Sequence, residues 1–215
     1  METDMATPQM ICFDWDGTLI DSFDKIASCI FTTAKQMGLK KATKPSIKTK
    51  IGLPFEQLLE ELYGSVCSKD FIDEYHKVYD AMPVPKLFPN CVHMLNTLRN
   101  HGILVVMVTN KSRRSAEAEL VGHGILELFD SIWVAEELTA KPSPLMLHHA
   151  MTSHQATPEQ VWMVGDSSAD LHAAYNAGCK VVLCDDVKIP PWIDNVERID
   201  DLAEILKLVG DKIYQ

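Results

Sequence analysis

Apolar residues follow two rhythms along this chain. Short runs at Met10 to Phe13, Ile103 to Thr109, Ser131 to Ala135, Val161 to Val164 and Lys180 to Cys184 read as strands, and the first, second and fourth are continuous apolar runs of the buried kind. Other stretches repeat at three and four positions and predict helices. The first spans Asp21 to Gly38, with Phe23, Ile26, Ala27, Ile30, Phe31, Ala34 and Met37 in phase. The same spacing predicts helices over Phe55 to Tyr63, entered through Pro54 in the first turn, and over Lys69 to Ala81. Further helices are predicted over Val92 to Asn100, Lys111 to His123, Pro144 to His154, Ser168 to Ala177 with Gly178 as its C-cap, and Asp201 to Val209.

The order of these elements carries the architecture. Strand and helix alternate from residue 90 onward, which predicts a parallel sheet covered on both faces. Residues 21–87 read as wholly helical, with no strand among them, so a helical block interrupts the sheet domain between its first and second strands. The fold class is therefore α/β, a doubly wound, Rossmann-like parallel sheet with an α-helical insertion. Residues 1–20 and 88–215 form the core, and residues 21–87 form the insertion. No internal repeat or low-complexity stretch disturbs this division.

Composition narrows the function classes. The formal charge of −10 argues against a general nucleic-acid binder, since phosphate backbones demand clustered Lys and Arg. The charge is unevenly shared: residues 21–87 hold ten lysines and nine acids, and the remainder carries a net −11. Six cysteines occur without a C-x-x-C pair, several inside apolar runs, which points to buried thiols in a reducing compartment. Met1 to Asp4 lacks the basic and apolar regions of a signal peptide, and no stretch approaches the roughly 20 apolar residues of a membrane span. The expectation is a cytoplasmic protein without membrane or nucleic-acid partners, monomeric or homodimeric.

Candidate chemistry gathers where strands end. The first strand runs into Asp14-Trp15-Asp16-Gly17-Thr18, two carboxylates at positions that face the same way. Two adjacent carboxylates resist joint ionisation and favour a shared cation or proton. The second strand ends in Thr109-Asn110-Lys111, a hydroxyl before backbone amides at a helix start. The loop after the third presents Lys141 between Ala140 and Pro142. The fourth ends in Gly165-Asp166-Ser167-Ser168-Ala169-Asp170. Together these offer three or four acids, one lysine and one hydroxyl at one sheet edge, a donor set suited to Mg²⁺ bound beside a phosphate.

These four segments, in this order, resemble the four motifs of the haloacid dehalogenase superfamily of phosphohydrolases, and the insertion resembles the small helical C1 cap of its phosphoglycolate phosphatase-like members. The resemblance covers the whole chain. It implies that Asp14 is the nucleophile and forms an aspartyl-phosphate, and that Asp16 protonates the leaving oxygen and later activates water. It implies that Mg²⁺ is held by Asp14, the Asp16 backbone carbonyl and Asp166. Thr109, Lys141, the Asn110 amide and Thr18 would bind the phosphorylated substrate, and Asp170 would fix the lysine or a metal-bound water. The acid at position 16 disfavours dehalogenases and phosphonoacetaldehyde hydrolases of the superfamily. Thr18 stands where β-phosphoglucomutases commonly carry an aliphatic residue. A Mg²⁺-dependent phosphatase for a small phosphorylated metabolite, phosphoglycolate or a sugar phosphate, fits best; a phosphomutase or a non-catalytic binding protein on the same fold are the alternatives.

The insertion carries Lys40, Lys41, Lys44, Lys48 and Lys50 within eleven residues free of acids. Lys50 precedes Ile51-Gly52-Leu53-Pro54, which resembles the loop that meets substrate in relatives, and is the candidate reader of a carboxylate or second phosphate. Trp15 is expected to pack away from the site. His148, His149 and His154 are expected in surface or packing roles.

Overall fold

The computed structural model describes residues 7–39, 42–64 and 69–210. Cys67, Lys40, Lys41 and the first four residues lie outside them.

The first apolar run forms strand β1 (Met10–Phe13). After a two-residue strand β2 (Ile20–Asp21) come four helices, α1 (Phe23–Gln36), α2 (Lys44–Lys48), α3 (Phe55–Tyr63) and α4 (Lys69–Asp80), and then a second two-residue strand, β3 (Lys86–Leu87). The alternating part follows as α5 (Cys91–Asn100), β4 (Leu104–Thr109), α6 (Arg113–His123), β5 (Ser131–Val134), α7 (Leu145–His154), β6 (Val161–Gly165), α8 (Ser168–Ala177), β7 (Lys180–Leu183), β8 (Val196–Arg198) and α9 (Glu204–Val209). Among the described residues no helix is long and apolar enough to cross a membrane.

The main sheet has the order β5-β4-β1-β6-β7-β8, every pair parallel. Strand order reverses at β1, so the chain leaves β4 and β6 on either side of it. A crevice opens at the carboxyl end of that switch point, the place where open α/β sheets bind ligands. Side chains alternate across β1: Ile11 and Phe13 join one apolar layer with α5, α6 and α9, while Met10 and Cys12 join the other with α7 and α8. Burial on both faces explains why the strand is a continuous apolar run rather than an alternating one.

The four helices between β2 and β3 pack around an apolar cluster of their own, built on Ile26, Ile30, Ile47, Leu59, Phe71 and Tyr75. The expectation that residues 21–87 hold no strand is corrected here. Ile20 pairs with Leu87 and Asp21 with Lys86 in an antiparallel ribbon at the base of the insertion. Two residues are too few to show a period, which is why the ribbon is invisible in the sequence. The lysine-rich connector also contains a helix, α2, closed at its start by a reciprocal Thr43–Ser46 capping box. A third departure is β8, a short edge strand beside β7.

Candidate active site

Asp14 follows β1 directly, its backbone N–H still donating to the Val164 carbonyl at 2.9 Å, so the sheet ladder fixes its position. The chain then turns sharply: the amides of Leu19 and Ile20 donate back to the Trp15 carbonyl at 3.0 and 3.1 Å. Gly17 permits this turn with φ +84°, and a Cβ there would lie 2.4 Å from Asp166 Oδ2. The turn therefore needs glycine twice over, for its left-handed backbone and for the close approach of a carboxylate.

Lys141 lies at the centre of the site, almost wholly buried. Its ammonium donates to Asp170 Oδ1 at 2.6 Å and to the Val108 carbonyl at 2.8 Å, and pairs with Asp14 Oδ1 at 2.8 Å. Those three contacts match its three N–H groups. Burial alone would lower its pKa, but the two carboxylates outweigh that and hold the lysine charged well above its ordinary range. Its backbone is positioned by Asn110, whose Oδ1 accepts from the Lys141 N–H at 2.8 Å and whose Nδ2 donates to the Lys141 carbonyl at 3.2 Å. The Lys141–Pro142 peptide is cis.

Asp170 is fully buried at the start of α8. Its Oδ2 accepts from the Ser167 N–H at 3.1 Å and the Ser167 hydroxyl at 2.5 Å, while Ser167 Oγ accepts from the Asp170 N–H at 3.3 Å. Gly165 leaves room for this box, because a Cβ there would lie 2.3 Å from Asp170 Cγ. Oxygens of Asp14, Asp166 and Asp170 all fall within 4.8 Å of one another. Burial raises the pKa of Asp14 and of Asp166 well above the ordinary carboxylate value, and neighbouring carboxylates push both the same way. Asp170 spends both oxygens on Lys141 and Ser167, so Asp14 and Asp166 are the acids with capacity left for a cation. An all-oxygen, carboxylate-rich donor set of this kind fits Mg²⁺.

Asp14, Asp16, Thr109, Asn110 and Lys141 line one cavity of about 370 Å³ between the sheet edge and the insertion. Thr109 is buried and its Oγ1 accepts from the Lys111 N–H at 3.1 Å. Two expected substrate contacts are placed elsewhere. Thr18 is buried outside the cavity lining and donates to Asp166 Oδ1 at 3.0 Å, so its hydroxyl is engaged with a carboxylate. Lys50 is not part of the lining either; it is ion-paired with Glu61 on α3. Of its neighbours, Lys44 donates to Ser28 Oγ and Lys48 pairs with Asp24, which ties the basic connector to α1.

A buried polar cluster beside Asp16 has no counterpart in the sequence reading. The Lys111 ammonium reaches Asp16 Oδ1 at 2.9 Å, the Tyr79 hydroxyl at 2.9 Å and Glu119 Oε2 at 3.3 Å. Glu119, on α6, also accepts from Trp15 Nε1 at 2.7 Å and from the Tyr79 hydroxyl. Lys25 of α1 lies 3.7 Å above the Tyr79 ring. Burial disfavours the charge on Lys111, but Asp16 and Glu119 overcome this and raise its pKa. Trp15 thus packs away from the cavity as expected, yet through a specific hydrogen bond. His154 contacts Ser131 Oγ and the His149 ring lies beside Trp133, away from the carboxylates.

A family model described as haloacid dehalogenase-like hydrolase matches residues 11–184, the span from β1 to just past β7. The chain belongs to the haloacid dehalogenase-like hydrolases. Relatives of this hydrolase include the phosphoglycolate phosphatase of Haemophilus influenzae (strain 86-028NP), 30% identical over 94% of this chain and 98% of that one. That of Vibrio cholerae is 28% identical over 81% and 83%. Among solved structures, one described as a predicted phosphoglycolate phosphatase from Haemophilus somnus 129pt superposes with a TM-score of 0.81 at 27% identity, covering 96% of this chain and 100% of that one. A haloacid dehalogenase-like hydrolase from Bacteroides fragilis gives 0.76 at 30% identity, covering 82% and 87%. These relatives make the haloacid dehalogenase-like hydrolase described here a phosphatase.

Proposed function

We propose that this chain hydrolyses a small phosphate monoester in a Mg²⁺-dependent reaction through a phosphorylated Asp14, with the helical insertion acting as a cap over the site. The observation that carries this reading is the convergence of Asp14, Asp166 and the buried Lys141, with Asp14 and Lys141 opening onto the cavity at the sheet edge. Asp14, Asp166 and the Asp16 backbone carbonyl would hold the cation. Bound there, Mg²⁺ supplies the positive charge that lets a carboxylate approach a phosphate dianion.

The remaining steps belong to the side chains. Lys141 and the Thr109 hydroxyl hold the phosphoryl oxygens, with the Asn110 amide beside them. An Asp14 oxygen attacks phosphorus as the bond to the substrate alcohol breaks, and Asp16 delivers a proton to the departing oxygen. Asp16 then takes a proton from the water that cleaves the aspartyl-phosphate, releasing inorganic phosphate and restoring Asp14. Asp170 keeps Lys141 in place throughout, which accounts for both of its oxygens being spent inside the protein.

The test is hydrolysis of p-nitrophenyl phosphate with and without Mg²⁺, comparing the wild type with Asp14→Asn. The variant keeps the shape of the site and loses the nucleophile, so turnover is expected to fall by at least about 10³-fold. Equal rates for the two proteins would remove Asp14 from the mechanism.

A further inference from the structure

Resting on that phosphatase reading, we infer that the alcohol portion of the substrate is uncharged and largely apolar, an aromatic or aliphatic alcohol in preference to a carboxylated or doubly phosphorylated one. The cavity has two unlike sides. The sheet side presents the carboxylates and Lys141. The insertion side presents Ile51, Leu53, Phe55, Ile72 and Tyr75, with the Phe55 and Tyr75 rings 4.6 Å apart between centroids. These side chains belong to the insertion's own apolar cluster or pack against it, except that Ile72 stands beside it on α4. The leaving group of a phosphoryl held at Lys141 must enter the space between these two sides.

Among the described lining residues no arginine and no unengaged lysine is at hand for a charge on the leaving group. The lysines among them are Lys111, whose ammonium already meets Asp16, Tyr79 and Glu119, and Lys141, which the phosphoryl group itself takes in the proposed reaction. The further acids on the lining, Glu56 and Glu136, would repel a second anion. Lys50 faces Glu61 instead of the cavity. A buried anion without a cation is costly, whereas an apolar group against this wall gains by leaving water. Among the described lining residues His76 is the one imidazole, and a competing anionic reading would act first through it.

The experiment compares kcat/KM for phenyl phosphate and 4-carboxyphenyl phosphate in Mg²⁺. The two differ by one carboxylate, and the carboxylated phenolate is the slightly better leaving group, so intrinsic reactivity works against the expected order. Phenyl phosphate is expected to be favoured by about 10- to 100-fold, and ethyl phosphate to be favoured over 2-phosphoglycolate in the same direction. Ile72→Lys puts a cation on the apolar side and is expected to shrink or reverse the phenyl preference. His76→Gln is expected to leave the ratio within about twofold of the wild type. Equal use or a preference for the carboxylated esters in the wild type would overturn the inference, as would its loss in His76→Gln. Failure of the wild type on every monoester, p-nitrophenyl phosphate included, would instead bring down the phosphatase reading beneath it.

Discussion

Lys111 is the residue whose role follows from contacts alone. Its neighbours Asp16, Tyr79 and Glu119 come from three separate parts of the chain, and each takes one of its N–H directions. Asp16 is thereby held in one orientation at the edge of the cavity. Lys111→Met is expected to slow alkyl phosphates more than p-nitrophenyl phosphate, because only the poorer leaving group needs a well-placed proton donor. A leaving-group series on both proteins checks this, with a drop of about 10-fold or more for the alkyl ester. The sequence exposes Asp14, Asp16, Lys141, Asp166 and Asp170 because each sits inside a compact motif, the acids at strand ends or a helix start and the lysine in a loop stiffened by proline. Glu119 and Tyr79 are not legible in that way. They meet 40 positions apart, and nothing local distinguishes either from an ordinary helix residue. Thr18 was legible as a polar group near the acids but not in direction, since the tight turn after Asp16 swings it to Asp166. Lys50 was likewise visible as a charge but its partner, Glu61, was not.

Elements place these side chains, and the turn after β1 is the most constrained of them. Gly17→Ala would put a methyl into Asp166 and strain a φ of +84°. A loss of about 2–4 kcal/mol in denaturant unfolding is expected, from backbone strain and overpacking combined, together with weaker Mg²⁺ binding. At α8 the lysine and the helix start share one carboxylate. Asp170→Ala removes the partner of a buried cation as well as the cap, and a cost of about 3–5 kcal/mol is expected in the same assay. The apolar run of β1 and the periodic stretches of α3 and α8 were readable, each ending where its pattern ends. The two-residue strands β2 and β3 were not, because they are shorter than a period and pair across the whole insertion, and α2 was not, because its five residues span little more than one turn.

For the whole molecule, the buried acids tie stability to pH and, at the proposed Mg²⁺ site, to a cation. Burial raises Asp14 from 3.8 to about 7 and Asp166 from 3.8 to about 8. Across that window the native state holds protons that the unfolded chain has released, so the contribution of these groups to stability falls as pH rises. A cation bound at the proposed site would replace the protons. With chelator present, the unfolding midpoint is expected to lose ground between pH 5.5 and pH 8.5, and added Mg²⁺ to raise it more at the upper pH. Thermal scans at both pH values with and without Mg²⁺ check the sign; a larger Mg²⁺ effect at the lower pH would contradict it.

The ribbon of β2 and β3 also bears on how such a molecule can change. Entry to and exit from the helical insertion are hydrogen-bonded neighbours, Ile20 facing Leu87 and Asp21 facing Lys86. Whatever lies beyond that short ladder can be lengthened, shortened or exchanged without altering the spacing of any strand in the main sheet. The carboxylate and lysine cluster at the sheet edge and the apolar side of the cavity are thus carried by separate stretches of the chain, joined at a seam where one can be refashioned while the other stays as it is.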